Sequence, residues 1–364
     1  MGFDCGIIGL PNAGKSTIFN ALTGSTAAVA GYPFTTIDPN TGAVTLPDER
    51  LQQIAALTKP EKITPAVMEF VDVAGLVRGA HTGEGLGNQF LATIRNLPAV
   101  AHVVRCFSDE NVAHPEGEVD PIRDIEIIET ELILADIATV QRRIDKVKKT
   151  AQTGDKEAKR ALAVYEKTIA VLDAGKPAST LSIVPEERPI FDEMQLLSAK
   201  PVLFIANVDE NAAHEGNEHS DRVKSAADDR GAGFVIISGK IEAELLDLEE
   251  DERTVFLEEL GLSETGLAQV ISAGYGLLRL VTFYTTVGPE LRAWSTPEGT
   301  TAPGAAGRIH TDMERGFIRA EVLSSDDLFA SGGEHEAKES GKVRVEGKDY
   351  VIRDGDIVRI RFNV

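Results

Sequence analysis

The chain has 364 residues, of which 42% are hydrophobic, and its formal net charge is −21. That length allows about two or three domains, each able to bury a core of its own. The chain has no apolar run of roughly eighteen residues, which excludes a membrane-spanning helix, and its acidic balance argues against a generally basic nucleic-acid binder.

Two further features bear on the compartment. The first residues have a strand-like apolar pattern without a basic region or a cleavage site, so we expect a cytoplasmic protein. Cys5 and Cys106 both lie in apolar runs, which predicts buried free thiols and argues against a disulfide framework.

The most informative motif is at residues 9–16, which read GLPNAGKS. It matches G-x-x-x-x-G-K-[ST], the loop whose backbone N–H groups surround the phosphates of a nucleotide. An apolar strand pattern precedes it and a helical pattern follows, as that loop requires. The sequence therefore predicts a nucleoside triphosphate site in which Lys15 contacts the β- and γ-phosphates and the Ser16 hydroxyl holds Mg²⁺.

The order of the chain indicates three parts. Apolar runs at 3–8, 66–73 and 99–107 alternate with amphipathic stretches and resume at 201–208 and 233–238, which predicts a parallel sheet covered by helices. We assign residues 1–120 and 199–278 to this α/β domain, 121–198 to an insertion and 279–364 to a compact α+β domain. We expect strands at 281–287, 293–296, 342–345 and 357–363 in that last part, and a short helix after residue 301.

The insertion has the pattern of a two-helix coiled coil. Asp120 and Pro121 form a helix start, and apolar residues then repeat at spacings of 4, 3, 4 and 3 from Ile133 to Val147. A turn at residues 154–155 precedes a second seam, which ends before residues 175–177. Residues 142–167 contain nine Lys or Arg and four acidic residues, which places a basic cluster at the hairpin tip. This cluster is either a solvated helix face or a surface that docks on RNA.

Two later motifs suit a nucleotide switch. Residues 33–39, PFTTIDP, lie where a first switch would fall, with Thr36 as a Mg²⁺ ligand. Residues 72–75, DVAG, end an apolar strand. There Asp72 would hold a magnesium-bound water and the Gly75 N–H would touch the γ-phosphate.

These motifs resemble those of the Obg-related P-loop proteins. Residues 83–90, 307–312 and the ending from 347 to 364 resemble specifically the YchF, or Obg-like ATPase, family over essentially the whole chain. The resemblance implies a G domain interrupted by a helical hairpin, a ubiquitin-like TGS domain, and an ATPase that associates with the 50S ribosomal subunit and the 70S ribosome. We further expect a monomer that does not bind membranes. The family often has a cysteine where this chain has Thr35, which puts a redox role in doubt.

Base choice is predicted from residues 207–210. GTPases recognise guanine with N-K-x-D, whose Asp accepts two hydrogen bonds, but here Val208 replaces the Lys and Glu210 the Asp. The longer acceptor is displaced, so guanine would leave buried polar groups unpaired and ATP is preferred. Residues 238–240, SGK, resemble the last base-contacting loop, although an ordinary turn is the alternative.

The catalytic step is less defined by the sequence. Leu76 follows the D-x-x-G motif in place of a water-positioning glutamine, so we expect slow hydrolysis. His81 is a candidate to position the water, the alternative being an exposed bystander, and Arg78 is a candidate to stabilise charge. The rival function is an RNA- or protein-binding adaptor with a regulatory nucleotide site and negligible turnover, and a P-loop kinase is disfavoured because no lid-like arginine pattern is present.

The predicted site can be stated residue by residue. The catalytic residues are Lys15 and His81. The nucleotide-binding residues are Asn12, Ala13, Gly14, Lys15, Ser16, Thr17, Gly75, Asn207, Val208, Glu210, Ser238 and Gly239. The Mg²⁺ ligands are Ser16, Thr36 and Asp72.

Overall fold

The computed structural model describes residues 4–24, 40–73, 79 and 86–363. They fall into a larger unit, Asp4–Gly42 with Phe70–Gly274, and a smaller unit that includes Ala43–Glu69 and Tyr275–Val364. The sequence-based division placed residues 43–69 in the α/β domain, whereas here they share a unit with the carboxy-terminal residues. The reason is packing: apolar Leu51 and Ile54 lie in one cluster with Tyr284 and Leu291.

The first sheet has six strands in the order β2-β4-β1-β5-β6-β7. Its strands are β1 (Asp4–Ile8), β2 (Thr41–Thr45), β4 (Val67–Asp72), β5 (Ala99–Arg105), β6 (Val202–Asn207) and β7 (Gly233–Ile237). The pairs β1–β5, β5–β6 and β6–β7 are all parallel. Every residue of β5 is buried, as expected for a strand covered on both faces. The expected parallel sheet is therefore present, whereas β2 was not predicted.

The helices of the larger unit are α1 (Lys15–Gly24), α3 (Leu86–Asn96), α4 (Pro121–Gln152), α5 (Lys156–Asp173), α6 (Arg188–Glu193), α7 (Glu218–Arg230), α8 (Gly239–Leu246), α9 (Glu250–Glu259) and α10 (Gly266–Leu277), where the last crosses into the smaller unit. Several of these helices begin with a side-chain cap that satisfies free N–H groups. Asp120, Asp155 and Asn217 accept hydrogen bonds at the starts of α4, α5 and α7.

Helices α4 and α5 form an antiparallel pair joined by residues 153–155. Their interface is an apolar cluster that contains the expected seam residues from both helices, among them Val140, Ile144, Tyr165 and Leu172. The two insertion helices therefore pack against each other along an apolar stripe. Buried Asp136 on α4 fixes the return of the chain, because its carboxylate accepts the Leu197 and Ser198 N–H groups at 2.9 and 2.8 Å.

The smaller unit contains a second six-stranded sheet in the order β11-β10-β12-β8-β9-β3. Its strands are β3 (Lys62–Thr64), β8 (Leu280–Val287), β9 (Glu290–Pro297), β10 (Phe317–Ser324), β11 (Arg344–Glu346) and β12 (Asp356–Phe362). Its helices are α2 (Glu49–Thr58), α11 (Ala302–Ile309), α12 (Thr311–Arg315), α13 (Ser325–Ser331) and α14 (Glu334–Glu339). Two apolar clusters contain neighbouring strand residues, one including Tyr284 with α2 and α13 and the other Phe283 with α11. The α+β character is as expected, but β3 and β10 were not predicted.

Both cysteines are buried and free, as predicted. Among the described residues, no helix combines the length and the apolar character needed to span a bilayer.

Candidate nucleotide site

The candidate site lies at the edge of the first sheet where parallel strands end. Ile8 of β1 pairs with His102 of β5, while Arg105 of β5 pairs with Asn207 of β6, and Asn207 with Ile237 of β7. The loops that follow β1, β6 and β7 therefore leave the sheet at the same edge. In open parallel sheets this edge is the usual place for a ligand.

The loop that follows β1 has backbone angles that its glycines permit. Gly14 has a φ of +95°, and a Cβ there would lie 2.1 Å from the Asn207 Nδ2 atom. A Cβ on Gly9, whose φ is +150°, would lie 2.4 Å from the Val103 carbonyl oxygen. No other residue type fits at either position, so the loop closes tightly and α1 begins directly after it at Lys15. The N–H groups of that first turn are available to an anion.

Lys15 is buried, although it carries a charge. Its Nζ donates to the Leu10 carbonyl oxygen at 2.8 Å, within the phosphate loop. Burial lowers the pKa of Lys15, and the nearby Asp72 carboxylate opposes that shift. Burial raises the pKa of Asp72, and the Lys15 ammonium opposes part of that rise. The Lys15 ammonium is thus buried with one neutral hydrogen-bond partner, the Leu10 carbonyl, and one nearby carboxylate, Asp72. A buried charge that is only partly compensated is suited to binding a phosphate anion.

Asn207 connects two loops of the site. Its Nδ2 donates to the Ala13 carbonyl oxygen at 3.0 Å, and its Oδ1 accepts the Gly239 N–H at 3.0 Å. The side chain is buried, so both amide atoms are satisfied where water is excluded. The structure thus brings together Ala13, Gly14, Asn207 and Gly239, four of the residues that the sequence analysis assigned to the site.

The base end of the site differs from the sequence-based expectation at Val208. That side chain is buried in an apolar cluster with Val104, Phe204 and Val223, so it does not line a base pocket. Alternation along the strand explains this, because Asn207 faces the loops and its neighbour must face the other way. The packing therefore gives no support to a side-chain role for Val208 in nucleotide binding.

Glu210 and Lys240 form an ion pair at the same end. Hydrogen bonding to Lys240 lowers the pKa of Glu210. Ser238, directly before Gly239, is buried, and its hydroxyl has no hydrogen-bond partner in the described part of the chain. A buried orphan hydroxyl beside the loops is consistent with a ligand contact.

The predicted Mg²⁺ ligands lie only partly within the described residues. Ser16 and Thr17 are exposed in the first turn of α1, and Asp72 ends β4 beside Lys15. A hydroxyl and a carboxylate are oxygen donors of the kind Mg²⁺ prefers, and the ion usually takes only one or two protein ligands beside phosphate oxygens. The residues present therefore fit the ion, although the described residues contain no cluster of three or more His, Cys, Asp or Glu side chains.

Three predicted site residues, Thr36, Gly75 and His81, lie outside the described residues, as do Thr35, Leu76 and Arg78. Gly79 is described, and its N–H donates to the buried Glu131 carboxylate of α4 at 2.8 Å. The chain after the D-x-x-G motif therefore touches the long helix of the insertion.

Sequence reasoning missed the support that the loop after β5 gives to the phosphate loop. Asn12, with a φ of +63°, donates from Nδ2 to the Ala113 carbonyl oxygen at 2.9 Å. Buried Arg105 organises that loop by donating to carbonyl oxygens of Phe107, Asp109 and Ala113. A charged residue ending an otherwise apolar strand was the available signal.

Two family models match the chain. Residues 4–130 match the model described as "50S ribosome-binding GTPase", and residues 280–363 match YchF-GTPase_C, described as "Protein of unknown function (DUF933)". The first model reaches ten residues into the stretch assigned to the insertion, and the second covers nearly all of residues 279–364.

Similar proteins cover the whole chain. The chain is 50% identical over 364 residues to "Ribosome-binding ATPase YchF" of Escherichia coli O157:H7 and 49% identical over 366 residues to the protein of that name in Bacillus subtilis (strain 168), with 100% of both chains covered in each case. The solved structure of the Schizosaccharomyces pombe YchF GTPase superposes with a TM-score of 0.89 at 35% identity, covering 99% of this chain and 98% of that one. A GTP binding protein from Pyrococcus horikoshii OT3 shares the fold at a TM-score of 0.64 and 22% identity, covering 99% and 100%. The chain therefore belongs to the YchF family.

Proposed function

We propose that this protein is a Mg²⁺-dependent ATPase that switches with its nucleotide and binds the ribosome. The observation that carries the proposal is the phosphate loop: buried Lys15 starts α1, and Asn207 links the loop to Gly239. Relatives that match over their full length carry the name ribosome-binding ATPase, which supports the same activity and partner. Such a protein would act in the cytoplasm.

The chemistry assigned to this chain is phosphate binding followed by slow hydrolysis. The Lys15 ammonium and the N–H groups of the first α1 turn would stabilise charge on the β- and γ-phosphates. Ser16, Thr36 and Asp72 would hold Mg²⁺, which neutralises phosphate charge when it is bound. Because Leu76 has no group to orient water, turnover would be slow until another residue, with His81 as candidate, takes that role.

We further propose that ATP is preferred over GTP. Guanine presents two donors that need a free carboxylate at position 210, whereas here Glu210 is ion-paired with Lys240. Adenine lacks both donors and is not penalised by their loss. The Asn207 amide, which occupies the first position of the base motif, is already engaged with the two loops.

The ribosome-docking surface we propose is the tip of the α4–α5 hairpin, together with the carboxy-terminal unit as a TGS domain. Several basic residues of the hairpin are engaged internally: Arg143 with Glu193, Lys167 with Glu187, and Arg160 with the Glu186 carbonyl. Five exposed lysines are not: Lys146, Lys148, Lys149, Lys156 and Lys159 have no ion pair within the described ranges. We call these five the tip lysines. Unpaired lysines on a projecting helix end are suited to phosphates of ribosomal RNA.

The rival function is an adaptor that binds RNA or protein and whose nucleotide site regulates it without turnover. Steady-state ATP and GTP hydrolysis should be measured for the protein alone, with 50S subunits and with 70S ribosomes, beside Lys15→Ala as a blank. Turnover above the blank that rises with ribosomes supports the proposal. Tight ATP binding with turnover equal to the blank under all three conditions would reject the ATPase and leave the adaptor.

A further inference from the structure

Lys240 is positioned to control the group that would recognise the base. It follows Gly239, whose N–H is held by the Asn207 side chain, and its ammonium pairs with the Glu210 carboxylate. Asn207 in turn contacts Ala13 of the phosphate loop at 3.0 Å. Two hydrogen bonds and the Gly239–Lys240 peptide bond therefore connect the phosphate loop to the Glu210–Lys240 pair.

The added methylene of Glu210 does not by itself explain rejection of guanine. A glutamate side chain has one more torsion than aspartate, so an unrestrained carboxylate at position 210 samples several rotamers, including shorter reaches. A partner that fixes the carboxylate would keep it away from the base. The structure shows the Glu210 carboxylate paired with the Lys240 ammonium. Lys240 follows β7, which lies parallel to β6 and ends at the same sheet edge.

We propose that Lys240 is a specificity-determining residue, which withdraws the Glu210 carboxylate from the base and thereby makes the site discriminate against guanine nucleotides. The inference rests on the proposed nucleotide site and deepens it. Asp109 and Glu244 also attract Lys240, with Glu210 as the strongest partner. Removing the ammonium leaves Glu210 ionised and without its cation, and the guanine N1–H and N2 amino donors are then its best available partners.

The experiment compares ATP and GTP dissociation constants by calorimetry in Mg²⁺ for the full chain and four variants. These are Lys240→Met, Glu210→Gln, the double variant, and Lys224→Met as a control on an exposed lysine of α7. Lys240→Met should raise GTP affinity relative to ATP by roughly tenfold, the worth of one good charge-assisted contact. The same change in the Glu210→Gln background, and Lys224→Met, should move the ratio less than about twofold.

The outcomes separate this inference from the proposed function. Wild-type protein that binds neither nucleotide would reject the proposed function itself. If wild type binds ATP and Lys240→Met leaves the ratio within twofold, the inference about Lys240 is wrong. It is also wrong if Lys240→Met shifts the ratio equally with and without the Glu210 carboxylate, since Lys240 would then act on the base by another route.

Discussion

The phosphate loop and the hairpin tip are both cationic, but their charges are held in opposite ways. Lys15 is 7% exposed, donates to the Leu10 carbonyl oxygen and lies near the Asp72 carboxylate. The tip lysines are all exposed and have no ion pair in the described part of the chain. The phosphate loop therefore fixes a single charge by burial, one hydrogen bond and a nearby carboxylate, whereas the hairpin tip offers several exposed charges without an ion pair among the described residues.

This difference indicates two kinds of anion. A buried ammonium has already lost water and side-chain freedom, so it binds one small anion in a defined geometry with little further ordering. Exposed lysines retain both and act as separate point charges, which suits a long polyanion and gives strong dependence on salt. Each of the changes below acts on one end and should leave the other unaffected.

The largest effect is expected from Lys15→Ala. Removing the Lys15 ammonium leaves triphosphate charge without this partner in a partly desolvated site, a loss of about 3–5 kcal/mol. Calorimetry should therefore detect no ATP binding, while circular dichroism stays unchanged. Ribosome binding in the absence of nucleotide should persist, because the tip lysines are intact.

Lys224→Ala is the matched control for that change, since it removes an exposed lysine of the same unit. Unchanged ATP affinity in folded Lys15→Ala protein would remove the nucleotide site from this loop. Equal loss in both variants would show that general charge, and not position, is responsible.

A smaller effect is expected from reversing four tip lysines, Lys146, Lys148, Lys149 and Lys159, to Glu. Each lysine that neutralises a phosphate contributes roughly 0.7–0.9 to the slope of log affinity against log salt, so the slope should fall by about three. Co-sedimentation with ribosomes across a salt series measures this slope. ATP affinity should not change.

Because four reversals add much negative charge to an already acidic chain, a pairwise control is needed. One double variant carries Lys148→Glu and Lys149→Glu at the tip. The control carries Lys176→Glu and Lys224→Glu, at two exposed lysines outside the tip, and changes the net charge by the same amount. Only the first pair should lower the slope. Wild-type ribosome binding by the fourfold variant would return the tip to an ordinary solvated helix face.

Much of this arrangement could be predicted from local sequence. The buried strands β1, β5, β6 and β7 begin and end within about two residues of the expected bounds, because fully buried strands are continuous apolar runs. The phosphate loop was equally clear, since Gly9 and Gly14 occupy positions where a Cβ would collide. Strong local constraints leave a strong local signal.

What could not be predicted depends on contacts between distant residues. The apolar stripe of α2 gives no indication that its partners are Tyr284 and Leu291. Val208 was assigned to the base pocket by motif position, yet strand alternation turns it into the core. Replacing Val208 with Lys would therefore bury a charge, so it is no clean test of base choice. The Glu210–Lys240 pair joins residues 30 apart, and only the sheet order makes them neighbours.

The smallest predicted effect is a pH dependence of stability that arises from two buried residues, Glu242 and His102. Burial raises the pKa of Glu242, whose carboxylate accepts the Gly266 N–H at 2.7 Å, to about 7. Burial, with the charges of Lys15 and Arg230, lowers the pKa of His102 to about 3. The ordinary values are 4.5 and 6.5, so both groups influence stability in an overlapping pH range.

As the pH rises, the two groups change the free energy of unfolding in opposite directions. The raised pKa of Glu242 contributes stability that is complete below pH 4.5 and is lost as pH rises to about 7. The depressed pKa of His102 contributes stability that is complete above pH 6.5 and is lost as pH falls to about 3. Between pH 4.5 and 6.5 each slope is at most about 1.4 kcal/mol per pH unit, so in the wild type they largely cancel.

Urea unfolding of single and double variants between pH 4.5 and 6.5 should therefore separate the contributions of Glu242 and His102. Relative to wild type, Glu242→Gln should gain stability as pH rises, because only the His102 slope remains, and the amide still accepts the Gly266 N–H. His102→Leu should lose stability as pH rises, and the double variant should follow the wild-type slope. Parallel pH profiles in all four proteins would mean that neither group is held at the pKa its burial implies. Reversing the tip lysines should leave each of these slopes unchanged, since the exposed end carries none of the buried titratable groups that set them.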